Sequence, residues 1–535
     1  MQIAVFAVLA LAAGGIGMLN LLAKVNGYEV ASFVLYFAVV LGIGVWFFVK
    51  SRDKGEKDYF LGGRNMNGFV SALSAGASDM SAWCLMGLPG AIYLSGLGQV
   101  WISIGLVIGT FLAWIFVAPK LRRYSIKAGD AITVPQYLQN RFKESNPSLR
   151  IASAIIFVIA YCIYSASSIK ACGSIFSSIM GIDQTVAMII SAGVIVIYTL
   201  LGGFSAVCWT DFVQGMLMLF ALMLVPIVAC GVIGNGVYSV DPLPANYYNF
   251  LSSGKLDWAS VASIITGLGW GLGYAGMPHI LVRYMAIKDE KEMRRSQKLG
   301  CFWTFMILFM TTVMALIARK YFGGLYEGGG SEMIFVYLIR SMMSWGAVAL
   351  IGGLMLSAIV AAAMSTADSQ LLASSSSFSS DIYKTVIRKN ADDKELLWVG
   401  RLGVLIVTVV ALLIAIFAGG SSIMSLVSAA WSIFGAAFGP AMILSLYWKR
   451  FNYKGAVSGI ISGFAVSVLW MILFNFEYYG FTSVVFNTTI YEIVPGFIVG
   501  LAVAVIVSLL TKAPAKEVTD LFDEVTEEGK ALKTK

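Results

Sequence analysis

The chain has 535 residues, is 59% hydrophobic and only 12% charged, against about 25% charged residues in soluble domains. That composition excludes a large soluble helical protein, and one histidine (His279) with six scattered cysteines leaves little for histidine catalysis, a transition-metal cluster or a disulfide. The net charge of +8 resides in short loops between apolar runs, which fits the positive-inside rule and not a nucleic-acid surface.

Apolar runs of roughly 20 residues, each enough to cross a bilayer core of about 30 Å, recur along the whole chain. They lie near 3–23, 29–49, 67–95, 98–119, 151–175, 184–201, 205–233, 259–285, 300–320, 343–378, 395–418, 422–447, 455–474 and 490–510. The run 3–23 has no Lys or Arg before it, so it makes a poor signal sequence; residues 1–28 read as an N-terminal extension with a possible extra helix. The runs 67–95, 259–285 and 343–378 exceed a usual span, which predicts tilt, extension beyond the bilayer, or a break. The loops 50–66, 120–150, 283–298, 384–401 and 449–454, with the tail after 511, hold 31 of the 37 Lys and Arg residues. This alternation predicts a multi-pass protein of the cell (inner or plasma) membrane, with a transmembrane unit over 29–511 and a solvated cytoplasmic tail over 512–535.

Two of the long runs carry breaks. Leu73–Trp83 places Ser74, Ser78, Ser81, Gly76 and Asp79 in mid-membrane, where unwound backbone is tolerated only if it is buried in protein or lines a cavity. Thr266–Pro278 contains five glycines and ends in a proline, which permits close approach and then stops or kinks the helix. These breaks open the first and sixth segments of a core over about 67–447, which divides five plus five. Interrupted segments at matching positions of two halves point to an inverted repeat with a midplane site. Tight helix packing through small residues accounts for a single Gly-rich run equally well.

A third feature is the helix face formed by Ala362, Ser365, Thr366 and Ser369 at i, i+3, i+4 and i+7. Two hydroxyls beside any freed carbonyl make a cluster of hard oxygens suited to a small hard cation. Bonding of Ser and Thr back to their own helix is the alternative. Intramembrane acids are costly and point to function; they are Asp79, Asp211 and Asp368. A cap at the membrane edge is an alternative for Asp211.

The stretches Ala72–Ser81, Leu85–Gly90, Phe60–Arg64, Trp209–Asp211, Gly269–Tyr274, Met277–Leu281 and Leu397–Arg401 together resemble the sodium/solute symporter family, its sodium/proline symporters in particular. The resemblance runs from about residue 29 to 515 and departs from the family pattern at Ala82, Met277 and Ala367–Ser369. It implies an all-α, leucine-transporter-like inverted-repeat fold of 13 helices. It implies a sodium site from the backbone oxygens of Ala77, Met80 and Ala362 with the hydroxyls of Ser365 and Thr366, supported by Asp79. It implies a proline site from Ser81, Trp83, Gly87, Tyr164, Trp270, Tyr274 and Pro278. Arg64 would match a cytoplasmic coupling position, while Asp211 and, by its own charge, Asp368 would lie on the ion path.

The expected function is sodium-coupled uptake of L-proline by alternating access, with sodium the only metal and no organic cofactor. The same machine acting on another amino acid, pantothenate or a small carboxylate is the neighbouring reading. No triad spacing, metal cluster or phosphate loop suggests an enzyme, and no nucleic-acid partner is expected.

Overall fold

The computed structural model describes residues 26–532 apart from 51–54, 235–238, 240, 327, 418–420, 480–487 and 489. The expected helix over 3–23 lies outside the described residues. The described residues form helices and no strands, and ten of the helices are long and apolar enough to cross a membrane.

The outward faces show why a bilayer suits them. On helix Asp393–Phe417, Leu402, Leu405, Val409 and Leu413 are exposed, while Gly400, Gly403, Val404 and Ala411 are buried. Large apolar groups face out and small ones face in. This inverts the soluble pattern and lets neighbouring backbones approach closely.

The core runs from helix Gly68–Asp79 to helix Ile423–Tyr447. Helix Ser148–Met180 packs on the long helix beginning at Val348 and on helix Ile423–Tyr447. The helical stretch Gln184–Gly234 turns at Gly203, whose φ of 60° and ψ of −174° divide it into two segments. A side chain at Gly203 would also meet the Tyr59 ring at 2.9 Å, so glycine is required there twice over. The run expected over 343–378 begins later than its hydropathy suggests. Met343 ends a separate short helix, Ile334–Met343, and the spanning helix starts at Val348 and continues to Ile387.

Both breaks are present at matching places. The first helix ends at Asp79, Met80 leaves helical geometry (φ −78°, ψ 71°), and winding resumes at Trp83. The second tightens over Trp270–Ala275, opens at Met277 (φ −80°, ψ 107°) and restarts with Pro278 in its first turn. Most of the glycines there serve packing. A Cβ on Gly271 would lie 2.3 Å from the Gly105 carbonyl oxygen, and one on Gly276 would lie 2.5 Å from that of Phe434. The two readings of this Gly-rich run therefore hold together: glycine brings the helices into contact, and the backbone opens at its end.

Beyond the core, helices Tyr453–Trp470 and Ile493–Leu510 pack on each other and on helix Ile423–Tyr447. The tail forms a helix, Lys516–Ala531, that buries Val518, Leu521, Phe522 and Val525. Its acidic face meets Lys127, with Glu524 at 2.5 Å and Glu528 at 2.9 Å, and Asp523 meets Lys449 at 2.5 Å. The mixed charge of the tail thus belongs to one amphipathic helix docked on the membrane unit.

Candidate functional site

The first break lies against the hydroxyl-bearing face of the helix starting at Val348. Ser365 Oγ donates to the Ala77 carbonyl at 2.8 Å and is 3.1 Å from that of Ala362. Thr366 Oγ1 is 3.4 Å from the Ala77 carbonyl and 3.2 Å from that of Ala362. All four residues are buried. Bonding back to the same helix and reaching across to the first break occur together, so both readings of this pair are realised. Two carbonyls and two hydroxyls converge, with Met80 at the adjacent break. Such an oxygen cluster suits a small hard cation.

Asp79 ends the first half-helix, two residues after Ala77. Its Oδ2 accepts a hydrogen bond from Tyr274 OH at 2.6 Å, and its carbonyl accepts from Trp83 Nε1 at 2.9 Å and Tyr164 OH at 3.4 Å. Its Oδ1 is buried with no hydrogen-bond partner among the described residues. A buried carboxylate oxygen left this way is costly unless it meets positive charge.

Trp270 lies beside this acid in a box of rings. Its ring is 6.1 Å from Trp83, 6.2 Å from Trp431 and 5.0 Å from Tyr491, while Tyr274 meets Trp431 edge-on at 5.3 Å. Trp431 Nε1 donates to the Trp270 carbonyl at 2.8 Å, fixing the second break to helix Ile423–Tyr447. The structure thus brings Ser81, Trp83, Tyr164, Trp270 and Tyr274 to the two breaks. Gly87 is one turn further on, where a Cβ would lie 3.1 Å from Met424 Cβ. Pro278 sits just beyond the break, in the first turn of the next helix.

Asp211 is fully buried within a helical segment. Arg283 Nη2 pairs with its Oδ2 at 2.8 Å, and Ser74 Oγ donates to the same oxygen at 2.7 Å. Arg283 also contacts the His279 carbonyl at 2.7 Å and Ser369 Oγ at 2.5 Å, and Ser369 donates to Asp368 at 3.2 Å. The positive-charge alternation assigns Arg283 to a loop. The structure buries it at 2% exposure instead. Breaking such a buried pair leaves an uncompensated charge, typically at a cost of about 3–5 kcal/mol.

Arg64 lies apart from these groups, on the polar end of the bundle. It contacts Asp130 at 2.8 Å, Ser125 at 3.0 Å, and the carbonyls of Met285 and Ala131 at 2.6 Å each. It so ties the loop before the first broken helix to the end of the second. Burial pushes the Asp130 carboxyl up, but hydrogen bonds from Lys57 and Arg64 outweigh this and hold it below the usual carboxylate range.

Tyr491 and Trp431 are the neighbours of Trp270 that sequence reasoning missed. Each lies more than 150 positions from Trp270, and no periodicity links them. For Arg283 a signal exists: it is the only charge in the apolar stretch Leu281–Ile287 after the break.

The sodium:solute symporter family model matches residues 59–463. The osmoregulated proline transporter OpuE of Bacillus subtilis (strain 168) is 42% identical over 92% of this chain and 97% of its own. The high-affinity proline transporter PutP of the same organism is 41% identical over 90% of this chain and 98% of its own. The sodium/proline symporter of Escherichia coli (strain K12) is 38% identical over 92% and 94%. Among solved structures, a Na+-coupled sialic acid symporter in a substrate-bound outward-open state superposes with a TM-score of 0.73. It is 20% identical, covering 91% of this chain and 98% of that one.

Proposed function

The chain belongs to the sodium:solute symporter family, and from that premise we propose that it takes up L-proline by coupling to the sodium gradient. It is a multi-pass membrane transporter and not an enzyme. The observation that carries the reading is the meeting of Ser365 and Thr366 with the Ala77 carbonyl at the first break.

In this reading the carbonyls of Ala77, Met80 and Ala362 and the hydroxyls of Ser365 and Thr366 hold sodium. Binding ties the first broken helix to the helix starting at Val348. Asp79 begins where that cluster ends and adds negative charge beside it. On its other side, Trp83, Tyr164, Trp270 and Tyr274 form the wall of the solute pocket, with Ser81 and Gly87 on the same segment and Pro278 closing the second break. The carboxylate of proline meets backbone N–H groups freed at a break, where helix N-termini carry partial positive charge. The pyrrolidine ring packs on Trp270 and Tyr274.

Sodium and proline then favour the same arrangement, so each strengthens binding of the other. Asp211 and Asp368 supply the ion path, with the Arg283 guanidinium holding Asp211 when no other cation does. Arg64 couples the cytoplasmic ends of the two broken segments. In the same reading residues 29–511 are the symporter unit, and the charge of the loops supports a cytoplasmic C-terminus.

Equilibrium binding of labelled proline to the purified protein tests this directly. Binding should be strong in sodium and weak when choline replaces it. Equal binding in both salts would overturn the proposal.

A further inference from the structure

Resting on that reading of Trp270 as the solute-facing wall, we propose that Tyr491 is a specificity-determining positioning residue for proline. It reaches the pocket wall from outside the five-plus-five core. Tyr491 stacks on Trp270 at 5.0 Å and 28°, the closest of the three rings around that side chain. It sits immediately before helix Ile493–Leu510, the second helix after the core.

Besides that stack, two hydrogen bonds hold it. The Tyr491 backbone N–H donates to Thr266 Oγ1 on the second broken segment at 3.1 Å, and its hydroxyl donates to the Ser428 carbonyl at 2.7 Å. The preceding residue is held as well. The Ile490 carbonyl accepts from Trp470 Nε1 at 3.1 Å and Asn475 Nδ2 at 2.9 Å.

The following residue, Glu492, is 1% exposed, and no Lys or Arg pairs with it among the described residues. Its carboxylate takes hydrogen bonds from Asn475 Nδ2 at 2.8 Å and from the Tyr479 hydroxyl. A buried carboxylate is expensive, and packing alone asks for none. This one fixes the turn on which Tyr491 stands, between two tethers of Tyr491 to the core.

The consequence is mechanical. Trp270 begins the 3₁₀ turn that leads into the second break, and its ring is set by the side chains packed around it. Trp83 and Trp431 stand at about 6 Å from it, and Tyr491 stacks on it at 5.0 Å. A ring that decides the tilt of the wall decides which solute ring fits against it. Tyr491 bonds to Thr266 and Ser428 and stacks on Trp270, and none of these is a ligand of the Ala77–Ser365 cluster, so its effect on sodium passes only through proline binding.

The test is uptake kinetics of Tyr491→Ala and Tyr491→Phe in proteoliposomes. Loss of an aromatic neighbour should raise the apparent proline KM about tenfold in Tyr491→Ala. Sodium half-saturation measured at saturating proline should stay within about twofold, since no ligand of the ion is touched. Tyr491→Phe keeps the ring, so its KM should remain near wild type. The preference for proline over its four- and six-membered ring analogues should narrow in the alanine variant only. Trp270→Ala with Tyr491→Ala should lose little more than Trp270→Ala alone, because one acts through the other.

If Tyr491→Ala does not reach the membrane, Tyr491→Leu serves instead, filling the volume without an aromatic face, with the same rise expected. An unchanged KM and analogue preference in the folded variant, beside a raised KM in Trp270→Ala, overturns the inference and leaves the pocket reading standing. An unchanged KM in Trp270→Ala overturns the pocket reading itself. Equal worsening of proline and sodium constants shows a merely structural Tyr491 and also overturns the inference.

Discussion

Removing one hydroxyl from the Ala77–Ala362–Ser365–Thr366 cluster is the sharpest perturbation the structure offers. Ser365 Oγ sits 2.8 Å and 3.1 Å from the two carbonyls, and Thr366 Oγ1 sits 3.4 Å and 3.2 Å from the same pair. Ser365→Ala removes the more central oxygen. A polar contact to a charged partner is worth about 1.5–3 kcal/mol, and about 1.4 kcal/mol is tenfold in a binding constant. Sodium half-saturation should therefore rise about tenfold to a hundredfold in Ser365→Ala. Thr366→Ala, whose contacts are longer, should fall at the lower end of that range. Maximal uptake at saturating sodium should change far less, because the ion still has its carbonyls. The assay is labelled-proline uptake in proteoliposomes across a sodium titration, with choline keeping ionic strength constant. Wild-type sodium half-saturation in both variants would refute the site.

Asp79→Asn should largely abolish uptake while the protein still reaches the membrane, since a neutral group replaces the buried acid between the ion cluster and the Tyr274 hydroxyl; full uptake by Asp79→Ala would make the acid purely structural. Trp270→Ala should raise the apparent proline constant about tenfold or more and leave sodium half-saturation nearly intact; in the same assay unlabelled proline should compete, while pantothenate, glucose and sialic acid should not. Gly271→Ala should lower thermal stability by about 1–3 kcal/mol or more, because its Cβ meets the Gly105 backbone at 2.3 Å, whereas Gly193→Ala, with nothing within 4 Å, should be silent; equal melting temperatures would contradict the close packing. Asp130 has its folded pKa below its unfolded value of about 3.9, so the stability it contributes is complete above that value and lost as pH falls through the folded pKa. The difference in melting temperature between wild type and Asp130→Asn should be present at neutral pH and vanish in acid; a difference that grows on acidification would reverse the sign.

The spans, the two breaks and the hydroxyl face were legible because bilayer thickness, helix period and backbone chemistry each leave a local mark. Ser365 and Thr366 share a face through spacing alone, and Asp79 stands out as an acid in an apolar run. What stayed hidden depends on contacts between distant segments. Arg283 is one Lys or Arg among 37 in a charge count, and only packing shows that it meets Asp211 and not water. Tyr491 looks like the start of an ordinary apolar helix until its ring is found on Trp270. The five glycines of the second break carried two meanings in sequence. Backbone approach at Gly105 and Phe434 shows that most of them serve contact, with the opening itself placed at Gly276 and Met277.

The central claim is sodium-driven proline uptake. Purified protein in proteoliposomes should accumulate labelled proline above the external concentration only under an inward sodium gradient, and a sodium ionophore should collapse that accumulation. Concentrative uptake that persists without sodium, or follows an imposed proton gradient alone, would contradict it.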